Sequence, residues 1–172
     1  MKSDEAVDAR RDAAPHIAVR RATESDARAI AGLLRAAFAE FEPLYTPAAF
    51  AATVLDEAGV LARLHEGPLW VAQRGSSIIG TVGVVRSEDR ITIRGMAAHP
   101  GARGLGAGKA LLERAERFAA DARVYEVALY TTAFLDRAIG LYLASGFAFT
   151  GEKANPHGTE LLRMTKTLVP RS

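Results

Sequence analysis

The sequence predicts a mixed α/β domain with the element order βααβββαβαββ, and three observations carry that prediction. Short runs rich in Val, Ile and Thr are interspersed with longer segments whose apolar residues recur at helical spacing. Three of the strand-like runs follow one another with only turn residues between them, which excludes a purely alternating βα chain. A glycine-rich segment, HPGARGLGAGK at 99–109, then joins a strand-like run to an amphipathic helix. At 172 residues, 49% of them apolar and 24% charged, the chain is long enough for one domain with a real core. That domain is expected over 16–172, after a polar, alanine-rich and aperiodic mobile tail at 1–15.

The elements follow in order. HIAVRRAT reads as a strand. Thr23, three residues before Asp26, starts a helix with a capping-box pattern, and Ala27, Ile30, Leu34 and Phe38 form its apolar stripe. Pro43 is expected to end that helix. Pro47 opens a second helix over 47–64, with Gly59 as its weak point. LWVAQ, the turn RGSS and IIGTVGVV form a hairpin, and ITIRGMAA a further strand after the turn SEDR. The glycine loop leads into a helix at 106–120. VYEVALYTT is a strand, DRAIGLYLAS a short helix closed by Gly146, and FAFTGEK and ELLRMTKTL two last strands joined at ANPHG.

Composition removes several function classes. A net charge of +2 is too small to argue for nucleic acid or an anionic membrane surface. The absence of cysteine excludes disulfides, thiolate metal sites and a cysteine acyl-enzyme. The histidines, at 16, 65, 99 and 157, lack HxxxH or HExxH spacing, so no metal is expected. With no 18-residue apolar run and no signal-peptide core, a cytoplasmic location is expected.

The chemistry is concentrated in the glycine loop. Bare backbone at a helix start leaves amide N–H groups free, and the positive end of the helix adds to their field, so the segment is built for a phosphate. Gly108-Lys109 is followed by Ala110, and Arg103 stands where a Walker loop needs its first glycine. A GxGxxG fingerprint fails as well, with Lys109 or Leu111 at its third glycine. The pattern that fits is R-x-x-G-x-G, filled by Arg103, Gly106 and Gly108.

With Pro100 and the strand residues Met96, Ala97 and Ala98 before it, this loop resembles the acetyl-coenzyme A loop of the GCN5-related N-acetyltransferases. AIGLYLASGF resembles the second motif of that family, A-x-x-L-Y-x-x-x-G-F, through Ala138, Leu141, Tyr142, Gly146 and Phe147. The resemblance implies a mixed sheet flanked by helices and acetyl transfer from acetyl-CoA to a primary amine. It implies pyrophosphate contacts from Arg103, Gly104, Leu105, Gly106, Ala107, Gly108 and Lys109, and pantetheine contacts from the Met96–Ala98 strand. Tyr142 matches the position of the general acid for the departing thiolate, and the lack of cysteine points to direct attack in a ternary complex.

Two departures accompany it. Leu135 stands where many members have a cofactor-contacting Asn, and no carboxylate lies on the ITIRGMAA face that often carries the general base. The base is left among Glu40, Glu42, His99, His157 and water. The acceptor pocket implied by the family lies between FAEFEPLYTPAAF and GEKANPHGTE, where Glu40, Phe41, Tyr45 and His157 are candidate contacts for a small-molecule or peptide amine. A homodimer is the habit of the family. The rival from another class is a domain of the same fold that binds acetyl-CoA or a partner without turnover.

Overall fold

The computed structural model describes residues 16–170, and the tail expected at 1–15 lies outside them. Its strands are β1 (Ile17–Arg21), β2 (Leu69–Arg74), β3 (Ser77–Arg86), β4 (Arg90–Ala98), β5 (Glu126–Thr131), β6 (Ala148–Ala154) and β7 (Leu161–Thr167). They form one sheet in the order β1-β2-β3-β4-β5-β7-β6. Every neighbouring pair is antiparallel except β4 and β5, which run parallel.

Helices cover both faces. α1 (Ala27–Phe38), α2 (Pro47–Thr53) and α3 (Glu57–Glu66) pack on one side through Ile30, Leu34, Phe38, Ala49 and Val60. α4 (Ala107–Asp121) and α5 (Asp136–Ala144) cover the other, where Leu111, Leu112, Ala115 and Ala119 meet Val82, Val84, Ile91 and Ile93. No helix among the described residues is long and apolar enough to cross a membrane.

The expected second helix is two helices. The chain breaks at Val54–Asp56 and not at Gly59, because the Asp56 side chain accepts a hydrogen bond from the Gly59 N–H and restarts the helix. The first helix also stops early. It ends at Phe38, and Ala39–Leu44 continue as a 3-10 turn that contains Pro43. A residue preceding proline is driven out of α geometry, so the regular helix yields before Pro43 is reached.

A partly buried ion pair fixes the start of α1. Arg20 on β1 donates to both carboxylate oxygens of Asp26 at 2.8 Å, and the Thr23 N–H donates to Asp26 Oδ2 at 2.8 Å. The Arg20 hydrogen bonds are the main reason that the Asp26 carboxyl is held down at about 2. A carboxyl depressed in the folded state adds stability above its unfolded value, and that contribution fades as pH falls through the folded one. Asp26→Asn is therefore expected to cost about 1–3 kcal/mol at neutral pH. Melting curves should show the gap to the parent protein narrowing below pH 4 and closing near the folded value of about 2. A gap independent of pH would count against the pair.

Candidate active site

The parallel ladder between β4 and β5 is short. It pairs Arg90–Ile93 with Glu126–Leu129, and beyond Ile93 the two strands diverge without further pairing. A bulge lies at the same place: the β3–β4 register shifts between Thr81 and Gly83, opposite Gly95 and Met96, and Gly95 has φ +65°. The extra residue reverses which face each side chain meets. Ile91 and Ile93 join the α4 core, whereas Ala97 joins the α1 core. The edge of β4 from Arg94 to Ala98 thus faces an opening and no strand.

That opening is a cleft of about 840 Å³. At one end lies the glycine loop. The His99 Nδ1 accepts the Gly101 N–H at 3.0 Å, which anchors a 3-10 turn at Pro100–Ala102. Gly106, in the left-handed region at φ +84°, then redirects the chain into α4. The first backbone bond of that helix runs from the Ala110 N–H to the Gly106 carbonyl. The N–H groups of Ala107, Gly108 and Lys109 precede it and have no partner within the helix. A Cβ on Gly106 would meet no protein atom within 4 Å, so the space over this backbone is open. Gly108 serves close packing instead, since a Cβ there would come within 2.9 Å of Leu141 Cδ2 on α5.

Phe38, Phe41 and Tyr45 form a further wall, and Pro156, His157 and Thr159 of the β6–β7 loop also line the cleft. Thr46 holds that loop in place. Its hydroxyl donates to the His157 carbonyl at 2.5 Å, its N–H donates to Thr159 Oγ1 at 3.0 Å, and its oxygen also caps α2.

Of the residues singled out in the sequence, Met96, Ala97, Ala98, Arg103, Gly104, Gly106, Ala107, Gly108, Lys109, Phe41, Tyr45, Tyr142 and His157 all line this one cleft. Leu105, Glu40, Glu42 and His99 do not. Leu105 is half-exposed, and the Glu40 carboxylate pairs with the Arg103 guanidinium.

The model of the "Acetyltransferase (GNAT) family" matches residues 28–147. The chain belongs to this family. N-acetyltransferase 8 of Rattus norvegicus is 34% identical over 89 residues, covering 48% of this chain and 40% of the rat protein. N-acetyltransferase 8B of Homo sapiens is also 34% identical over 89 residues, with 48% and 39% covered. The chain thus spans about two fifths of the length of these curated relatives. Among solved structures, the PaiA N-acetyltransferase of Thermoplasma acidophilum, in complex with coenzyme A, superposes with a TM-score of 0.73 at 16% identity. The match covers 88% of this chain and 99% of that one. The ribosomal-protein-S18-alanine N-acetyltransferase of Escherichia coli gives 0.73 at 16%, with 91% and 97% covered.

In this GNAT domain Tyr142 sits on α5, 6% exposed, with its ring tilted against Phe147 at 6.0 Å between centroids. Burial pushes its phenol up to about 12, so the hydroxyl keeps its proton throughout the neutral range. Leu135 occupies the N-cap position of α5 and offers no side-chain hydrogen bond there.

Sequence reasoning missed three features of the cleft. Thr131 and Thr132, at the end of β5, both line it; among the described residues the Thr131 hydroxyl is buried without a hydrogen-bond partner, and the Thr132 hydroxyl faces the Tyr45 phenol. Arg63 of α3 reaches it from the other face of the sheet, with only 13% of its side chain exposed. The bulge alone had a readable signal, a glycine inside the strand pattern ITIRGMAA.

Proposed function

We propose that the chain is an N-acetyltransferase that passes the acetyl group of acetyl-CoA to a primary amine by direct attack in a ternary complex. The observation that carries this reading is the joining of two features in one cleft. The unpaired amides at the start of α4, under open space and flanked by Arg103 and Lys109, lie in the same cleft as the unpaired edge of β4. The first suits a pyrophosphate and the second an amide-bearing arm.

Backbone N–H groups of Gly106, Ala107, Gly108 and Lys109 would hold the pyrophosphate, and Met96 and Ala98 would pair with the pantetheine arm as a further strand would. An N–H of the β4 edge would stabilise the charge that develops on the thioester oxygen. The amine nitrogen forms its bond to the carbonyl carbon as the carbon–sulfur bond breaks. Tyr142 gives its phenolic proton to the departing sulfur and is reprotonated from water, and the proton lost by the attacking nitrogen leaves to water. No cysteine is available to take the acyl group, which supports a single transfer.

Glu40 competes with a phosphate for the Arg103 guanidinium. Because it is partly exposed, Arg103→Ala is expected to weaken acetyl-CoA binding by about tenfold, at the lower end for charge-assisted contacts. Glu40→Gln, which frees the guanidinium, should bind at least as tightly as the parent. Calorimetry on the two variants checks the pair, and equal weakening in both would overturn this use of Arg103.

The reading as a whole is tested by coenzyme A release across a panel of amines and several acyl-CoA donors. Amine-dependent release supports it. Binding of acetyl-CoA with no release on any amine would favour a domain that binds without turnover, a reading to which Leu135 and the lack of a β4 carboxylate lend weight.

A further inference from the structure

Among the described residues, the charged side chains that line the cleft are Arg63, Arg94, Arg103, Lys109 and Arg137, and no aspartate or glutamate lines it, although Glu66 and Glu40 pair with Arg94 and Arg103. Arg103 and Lys109 flank the start of α4, the end proposed for the anionic donor, and Arg137 lies in the first turn of α5.

Arg63 is different. It comes from α3, on the opposite face of the sheet, and a Cβ on Gly95 would lie 3.2 Å from its Nη1. It therefore stands beside the β4 bulge, just past the last β4–β5 pair. Its side chain is largely buried, yet among the described residues it donates no hydrogen bond. Its carboxylate neighbour is Glu66, at 3.4 Å from Nε, and the same Glu66 oxygen takes a 2.8 Å bond from Arg94. One carboxylate thus faces two guanidiniums, and one positive charge is left over. A buried guanidinium with spare donors at a ligand cleft calls for an anion.

We infer that the amine acceptor is a free amino acid, whose carboxylate is taken by Arg63 and whose apolar side chain lies against Phe41 and Tyr45. This rests on the acetyltransferase reading and names its substrate class. A single negative charge matches the single excess positive charge. The orphan hydroxyl of Thr131 supplies a further polar contact in the same cleft. A polyamine or a protein lysine, by contrast, would bring a cation with no carboxylate beside it to meet Arg63.

The test compares an apolar amino acid with its own carboxamide as acceptors for the unmodified protein, by coenzyme A release. The pair share the amine and the side chain and differ in the carboxylate charge. The free acid is expected to have the higher kcat/KM by about 10–100-fold, the range for a charge-assisted contact. Arg63→Gln should shrink that preference by a similar factor and leave acetyl-CoA binding, read by calorimetry, unchanged. A carboxamide, polyamine or peptide used as well as the free acid, or a preference that survives Arg63→Gln, would overturn the inference. The acetyltransferase reading stands in those cases. Absence of release with every acceptor, despite acetyl-CoA binding, removes that reading and the inference together.

Discussion

Tyr142→Phe is expected to lower kcat by about 10²–10⁴-fold, the usual span for a general acid, while acetyl-CoA affinity stays near that of the parent. The change deletes one oxygen and keeps the ring, so the contact with Phe147 and the packing of α5 survive. A phenol pushed up to about 12 is a weak acid by itself. The environment that raises it also raises the proton affinity of a thiolate formed beside it, because both anions would be poorly solvated. Transfer between them is then closer to balanced than the tyrosine value suggests. The pH dependence follows from the same number: no fall in rate from loss of this proton should occur between pH 7 and 10, since the phenol is still protonated there. Steady-state kinetics and a melting curve on the same preparation decide the matter. Unchanged kcat, where chemistry limits the rate, would leave Tyr142 as a packed core residue.

Gly106→Val should damage the other end of the cleft. Position 106 has φ +84°, where a β-branched residue is strained at about 1–3 kcal/mol. The strain falls on the residue that turns the chain into α4 and sets where the Ala107, Gly108 and Lys109 N–H groups point. The new side chain would also project into space that is open in the parent, over those amides. Together these predict an acetyl-CoA affinity lower by on the order of 100-fold. A suitable control is Gly32→Ala in the middle of α1, which meets no atom within 4 Å and is expected to be neutral or slightly stabilising. Wild-type affinity in Gly106→Val would remove the phosphate role of the loop.

What the sequence made legible was local. The loop could be read because its arginine and glycines are adjacent in the chain, and the α5 motif because Leu141, Tyr142, Gly146 and Phe147 recur at fixed offsets. Both parts of the cleft are built on helix starts and strand ends that short-range rules locate. The split between α2 and α3 was readable in principle, since Asp56 stands three residues before Gly59 as a cap, but the apolar spacing across 54–61 masked it. The placement of Arg63 had no such signal. Its neighbours Gly95 and Arg94 lie some thirty residues away on another element, and only the α3 packing and the β4 bulge bring them together. The pairing of Glu40 with Arg103 is tertiary for the same reason, and it takes from the acceptor end a carboxylate that sequence alone assigned there.

The most direct test of the central reading is a quenched single turnover with acetyl-CoA labelled in the acetyl group. The label should stay in the thioester when the protein is alone with acetyl-CoA, and appear on the amine of the acceptor once both substrates are present. The quenched protein should carry none. Label bound covalently to the protein before the acceptor is added, or label that never leaves the thioester at saturating acceptor, would contradict direct transfer in this cleft.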